Sequence, residues 1–232
     1  MPACGFRVLT PGDIARDMPA RMAPLTNPAT PNQDPLPQAP LEPVWPGLSA
    51  SDAALLDPDG HLYVFGYGSL IWKPGFAHVG QHPALLRGFH RRFCIWSRSY
   101  RGTPEAPGLV LGLAKGGACR GVAFRVAAAQ AAEVLAYLDE REMTGGVYHR
   151  RRVPLRLLDS GETRQAVAFV ADRRAAAYCA SLTPEAMAAA IARGHGIMGP
   201  NREYLLNTVA HLREMGVRDA GLDRVAALLP VR

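Results

Sequence analysis

Lysine is nearly missing from this 232-residue chain, which holds Lys73 and Lys115 against 24 arginines. Cysteine is scarce as well. Cys4, Cys94, Cys119 and Cys179 are scattered and include no C-x-x-C pair, which argues against a disulfide framework and against a zinc site. The seven histidines offer one helical spacing, His78 and His82, with Gly80 between them and no acidic or cysteine partner nearby. No metal site is expected from such a set, and a cofactor-free mechanism is the starting point. No apolar run approaches the roughly 20 residues that cross a bilayer, and the first residues lack the long apolar stretch of a secretory signal. A cytoplasmic protein with no membrane partner is expected.

What the chain does contain is a core and an uneven charge. Hydrophobic residues make up 48% and charged residues 20%, ordinary for a globular protein. The net charge of +6 is split. Residues 1–58 hold three arginines against six acids, and the remainder holds 23 basic and 14 acidic residues. A basic domain attracts anions from small carboxylates to nucleic acid, so charge alone decides little. Twelve of the 20 prolines also fall within residues 1–58. Proline at this density blocks helix and sheet pairing. Residues 1–58 therefore read as an extended tail, touching the domain through Trp45 or Leu55-Leu56, and residues 59–232 as the folded domain.

Within that domain the pattern is strand-rich, then helical. Strands are expected over 62–67, 89–97, 109–114 and 121–126, the last two separated by a turn at Gly116-Gly117. A helix is expected over 127–142. Strands follow over 153–158 and 166–171, joined across Asp159-Ser160-Gly161. Thr183 then caps a helix that has Pro184 at its first position and Glu185 in its first turn. Further helices are expected over 201–215 and about 222–229. An α+β domain on a small, mostly antiparallel mixed sheet or barrel flanked by helices fits this order.

Two features point to chemistry. In Val64–Trp72 (V-F-G-Y-G-S-L-I-W) a short buried strand runs into a turn with a hydroxyl at its tip. Gly66 and Gly68 suggest torsions that a side chain would forbid, with outward-facing amides suited to an anion. Glu142 is the second feature. It follows Leu135 by seven residues and Leu138 by four, so it shares their apolar face. It also sits in the last turn, before Gly145-Gly146, where the helix dipole disfavours negative charge by about 0.3–1 kcal/mol. Desolvation there would raise its pKa toward that of a general acid or base. The plainer reading pairs Glu142 with Arg141 or Arg150. Glu133, Asp139 and Glu140 read as solvated.

Other signals carry less. Ser69 lacks the G-x-S-x-G elbow of a nucleophile. Gly66-x-Gly68 misses the third glycine of a dinucleotide fingerprint, and no helix opens after it. Arg87–Arg101 interleaves bases with aromatics, as single-strand nucleic-acid binders do, but a strand with one apolar and one charged face gives the same pattern. No nucleic-acid partner is expected.

Taken together, four segments resemble the ChaC-like γ-glutamylcyclotransferases. They are V-F-G-Y-G-S-L-I-W at 64–72, R-G-T-P-E-A-P-G-L-V-L-G-L at 101–113, Y-L-D-E-R-E at 137–142 and N-R-E-Y-L at 201–205. The match spans about residues 62–212. The resemblance implies a cyclotransferase fold and action on glutathione, releasing 5-oxoproline and cysteinylglycine without metal or nucleotide. It maps the family's catalytic glutamate onto Glu142, its substrate loop onto Tyr67, Gly68, Ser69 and Leu70, and a pocket tyrosine onto Tyr204. Three alternatives stand beside it: a cyclotransferase for other γ-glutamyl amino acids or γ-glutamylamines, a non-catalytic regulator of cation transport, and a nucleic-acid binder using Arg91, Arg92 and Arg98.

Overall fold

The computed structural model describes residues 47–143 and 145–230. The Pro-rich stretch up to residue 46, with Trp45, lies outside the described residues. Of the segment read as a tail, residues 47–58 pack against the domain. Ser49 caps a one-turn helix, α1 (Ala50–Ala53), by accepting from Asp52 N. Leu56 is buried, and the buried Asp57 accepts from Gln165 N at 2.6 Å and from Arg164 at 3.1 Å. Ordered structure thus starts upstream of Gly60.

The centre is a closed barrel of five strands, β1 (His61–Gly66), β2 (Gly80–Ser97), β3 (Gly108–Ala127), β4 (Tyr148–Leu157) and β5 (Thr163–Ala171), in the order β1-β3-β2-β4-β5. Neighbours run antiparallel except where β5 pairs in parallel with β1, at Tyr63–Ala166 and Val64–Val167, and with β3 at Leu113–Val170. Both faces of β1 are covered. Leu62 and Val64 join one buried cluster, and Tyr63 and Phe65 join the other. That explains why the strand reads as an unbroken apolar run instead of an alternation.

Helix α2 (Ala128–Glu142) lays Val134, Leu135 and Leu138 onto the Leu62–Val64 side. Gly145 and Gly146, at φ +82° and +63°, turn the chain away after it. Helices α3 (Pro184–Arg193), α4 (Asn201–Glu214) and α5 (Ala220–Ala227) contribute to the other cluster. The Thr183 hydroxyl caps α3 by accepting from Ala186 N at 3.2 Å, with Pro184 in the first turn, as its sequence indicates. Two-residue strands β6 (His195–Gly196) and β7 (Gly199–Pro200) form a hairpin between α3 and α4.

Several expectations are corrected. Gly116-Gly117 does not separate two strands, because β3 runs through both glycines and stays paired with β2 on either side. The pair, at φ +101° and +71°, forms an irregularity opposite Gly88, where the register shifts between Arg87 and Phe89. Two glycines in a strand are a bulge signal as much as a turn signal. β4 begins at Tyr148, earlier than expected. Its run of His149 and Arg150–Arg152 hides the strand, although Val153, Leu155 and Leu157 keep the alternation.

Candidate active site

The turn after β1 is built by space. Neither Gly66 nor Gly68 has a positive φ, but Gly68, at φ −133° and ψ −129°, lies outside the α and β regions. A Cβ on Gly66 would come within 2.9 Å of the Phe124 ring, and one on Gly68 within 3.2 Å of the Tyr204 hydroxyl. Residues Ser69–Ile71 then form a single 3-10 turn, closed by Ile71 N donating to Gly68 O at 2.9 Å. Leu70 buries its side chain in the core. Trp72 stacks on His211 of α4, with ring centroids 5.2 Å apart.

A cavity of about 690 Å³ opens over this turn. Tyr67, Gly68, Ser69, Leu70, Glu142 and Tyr204, the six residues singled out by sequence, all line it. Glu142 arrives from the last turn of α2, its side chain 17% exposed and its Oε1 3.2 Å from Arg141 Nε. The helical wheel and the plainer ion-pair reading are therefore both satisfied in part, with Arg141 as the partner. Arg150 is engaged elsewhere, by Asp139 at 2.8 Å and Asp52 at 2.6 Å, so Asp139 is not simply a solvated residue. Burial raises the Glu142 carboxyl above the usual carboxylate range, and the Arg141 charge opposes the rise.

Of the five tyrosines that line the cavity, Tyr67, Tyr148 and Tyr204 are buried. Tyr67 OH donates to Phe169 O at 2.8 Å, Tyr148 OH donates to Leu111 O at 2.7 Å, and the Tyr204 hydroxyl accepts from Leu111 N at 3.5 Å. Burial above all, with the Glu142 charge adding to it, holds all three well above the ordinary tyrosine value. Only neutral phenols line this wall at neutral pH, so they can orient a ligand but not take its proton.

The sequence assigned no role to Arg101 or Asn201, and to Arg141 only a pairing with Glu142. Arg101 lies over the Tyr204 ring at 5.3 Å and donates to Met198 O and Pro200 O. Arg141 ties the turn to the helix by donating to Ser69 Oγ at 3.0 Å, Lys73 O at 2.8 Å and Pro74 O at 3.0 Å. Asn201 is fully buried and grips the Leu109 backbone twice, accepting from its N at 2.6 Å and donating to its O at 2.7 Å. The 101–113 and 201–205 segments held Arg101 and Asn201, but nothing in their spacing shows that they meet. Arg98, Arg101, Arg141 and Lys73 make the cavity predominantly positive, against Glu142 and Glu203. Among the described residues, no group of three or more His, Cys, Asp or Glu side chains is arranged to hold a metal ion.

The comparisons with known proteins point the same way. The sequence profile of ChaC-like proteins matches residues 62–230. A glutathione-specific gamma-glutamylcyclotransferase of Escherichia coli (strain K12) is 34% identical over 174 residues, covering 75% of each chain. Glutathione-specific gamma-glutamylcyclotransferase 1 of Rattus norvegicus is 34% identical over 183 residues, covering 75% of this chain and 82% of the relative. Among solved structures, a gamma-glutamyl cyclotransferase specific to glutathione from yeast superposes with a TM-score of 0.65 at 25% identity, covering 73% of this chain and 97% of that one. A profile match over most of the sequence, relatives at this identity and a shared fold together establish that the chain belongs to the ChaC-like family.

Proposed function

We propose that this protein is a glutathione-specific γ-glutamylcyclotransferase that cleaves glutathione into 5-oxoproline and cysteinylglycine, with Glu142 as the general acid and base. The observation that carries the reading is one carboxylate, raised in pKa by burial, in a positively lined cavity beside the Tyr67–Leu70 turn. The names borne by the bacterial and mammalian relatives support glutathione as the substrate.

In this reaction the γ-glutamyl α-amine attacks its own side-chain amide carbonyl and closes a five-membered ring. Folding the substrate back on itself removes most of the entropic barrier, since well-oriented intramolecular reactions reach effective molarities on the order of 10⁵ M or more. At neutral pH the amine is mostly an ammonium and cannot attack. Glu142 takes its proton and later delivers one to the departing amine of cysteinylglycine. The backbone amides of Gly68, Ser69 and Leu70 hold either the substrate carboxylate or the developing oxyanion. Tyr204 and Tyr67 shape the wall against which the substrate bends. Glutathione carries a net negative charge, and the Arg98, Arg101 and Lys73 side chains complement it.

The activity belongs to residues 59–232 with the packed segment before them, and the reading requires no metal, nucleotide, nucleic acid or membrane partner. Its place of action is the cytoplasm. Incubating the purified protein with glutathione and with a panel of other γ-glutamyl amino acids and γ-glutamylamines tests the assignment. Release of 5-oxoproline from glutathione in preference to the panel supports it. Turnover of the panel instead, or of nothing, rejects it.

A further inference from the structure

Arg91 lies on β2 among aromatic neighbours, in a segment whose charges read as one exposed face of a strand. The structure puts it on the other face. Its side chain is 2% exposed, in the register of Phe89 and Phe93, and all three nitrogens of its guanidinium are engaged. Nε donates to Tyr67 O at 2.5 Å, Nη2 donates to Arg120 O, and Nη1 lies 3.2 Å from Asp219 Oδ2. Tyr67 is a wall of the active-site cavity. Arg120 and Asp219 belong to a different one.

That second cavity, of about 660 Å³, lies between β2, β3, the start of α3 and the turn into α5. Its charge is one-sided. Arg91, Arg92, Arg120, Arg218 and Arg224 line it, and Asp219 is the one acid among its lining residues. Asp219 is also committed twice, since its Oδ1 caps α5 by accepting from Leu222 N at 3.2 Å. Arg224 reaches Glu185 at 3.4 Å. Among the described residues, Arg120 and Arg218 form no ion pair. The remainder of the lining includes Leu182, Met187, Leu222 and Val225, so apolar wall and arginines share the one cavity.

A buried guanidinium is costly unless its charge is met. Here it is met by one partly exposed carboxylate, 23% exposed, in a cavity whose excess of arginines favours anions. Guanidinium groups bind tetrahedral oxyanions bidentately and well, and the apolar wall suits a body attached to such a group. We infer that this cavity is a second ligand site, for a small organic phosphate, and that Arg91 carries its occupancy to the Tyr67 carbonyl at the root of the substrate turn. A phosphate held in this cavity by Arg120 and Arg218 competes with Asp219 for Arg91 Nη1. The same rigid, planar group holds Tyr67 through Nε, so the turn responds. Couplings of this kind change a partner site's affinity by about 5-fold or more.

Phenyl phosphate is the probe, with phenol as the uncharged control, titrated calorimetrically into the full chain. One saturable site per chain is expected for phenyl phosphate and none for phenol. The Arg120→Ser/Arg218→Ser double variant should bind it at least tenfold more weakly while cleaving glutathione, in the absence of probe, as the wild type does. This binding half is independent of the proposed function and stands even if glutathione is not a substrate. The coupling half rests on that function: phenyl phosphate should change kcat/KM for glutathione several-fold in the wild type and not in the double variant. Absence of saturable binding up to about 10 mM, or undiminished binding by the double variant, overturns the site. An equal effect on turnover in both proteins assigns the probe to the active-site cavity and likewise overturns it. Binding at the site with no change in turnover overturns the coupling.

Discussion

Arg141 Nη2 donates to Ser69 Oγ at 3.0 Å from the same guanidinium whose Nε lies 3.2 Å from Glu142 Oε1. One side chain thus fixes the spacing between the turn's hydroxyl and the carboxylate. It also donates to Lys73 O, Pro74 O and Tyr137 OH, so it is over-determined and rigid. A lysine cannot reproduce that fork, because its ammonium is a single point charge on a flexible stem. Arg141→Lys should retain the fold and lower kcat by about 10- to 100-fold, a cost typical of misplacing catalytic groups. Steady-state kinetics with circular dichroism as a folding control checks this.

As the proposed base, Glu142 should set the acid limb of the pH profile. Burial raises its pKa, and Arg141 holds the rise in check. The base must be ionised to accept the ammonium proton, so activity should fall as pH drops through this raised value. Removing the Arg141 charge with Arg141→Gln should move that limb to higher pH. A limb that stays put would dissociate it from Glu142.

The same shift has a consequence for stability. A carboxyl whose folded pKa lies above its unfolded one favours the protonated fold. Its stabilising contribution is present at low pH and is lost as pH rises through the folded pKa. Once ionised, Glu142 is therefore a burden on the fold. Glu142→Gln should melt at the same temperature as the wild type or higher near pH 7, with the advantage shrinking in acid. Thermal melts at several pH values test the sign.

Asn201 is the peg between α4 and β3. Replacing it with alanine leaves both polar groups of the Leu109 backbone buried and unpaired, at about 1–3 kcal/mol each. Asn201→Ala should cost about 2–6 kcal/mol of stability by urea denaturation. Because α4 also carries Tyr204, activity should fall further than the folded fraction does.

Gly66 and Gly68 separate packing from function. Gly66→Ala pushes a methyl to within 2.9 Å of the Phe124 ring, overpacking a fully buried site at a cost of about 1–3 kcal/mol. Gly68→Ala meets the Tyr204 hydroxyl at 3.2 Å, where the turn faces the cavity. The first should lower stability more than kcat/KM, and the second the reverse, as melts and kinetics on the same samples will show.

Much of this was legible in residue order. Period and capping located α2, α3 and α4 because each has an apolar stripe with clear ends, as with Thr183-Pro184 and Gly145-Gly146. The acid at the end of an apolar face singled out Glu142, whose side chain lines the cavity. The continuity of β3 was not legible, since Gly116-Gly117 signals a turn unless the partner strand carries its own irregularity at Gly88. The inward course of Arg91 was hidden too. A buried arginine is intelligible only once Tyr67 O, Arg120 O and Asp219, distant in sequence, are seen around it. Partners of that kind also explain Arg101 and Asn201, whose contacts join segments about 100 residues apart.

The most direct test compares 5-oxoproline release from glutathione by the wild type and by Glu142→Gln, with circular dichroism and melting curves on both. The glutamine variant should fold, melt no lower at pH 7, and show turnover reduced by at least 10³-fold, in line with losing the group that carries both protons. Substantial 5-oxoproline release by a folded Glu142→Gln protein would contradict the assignment of proton transfer to this carboxylate.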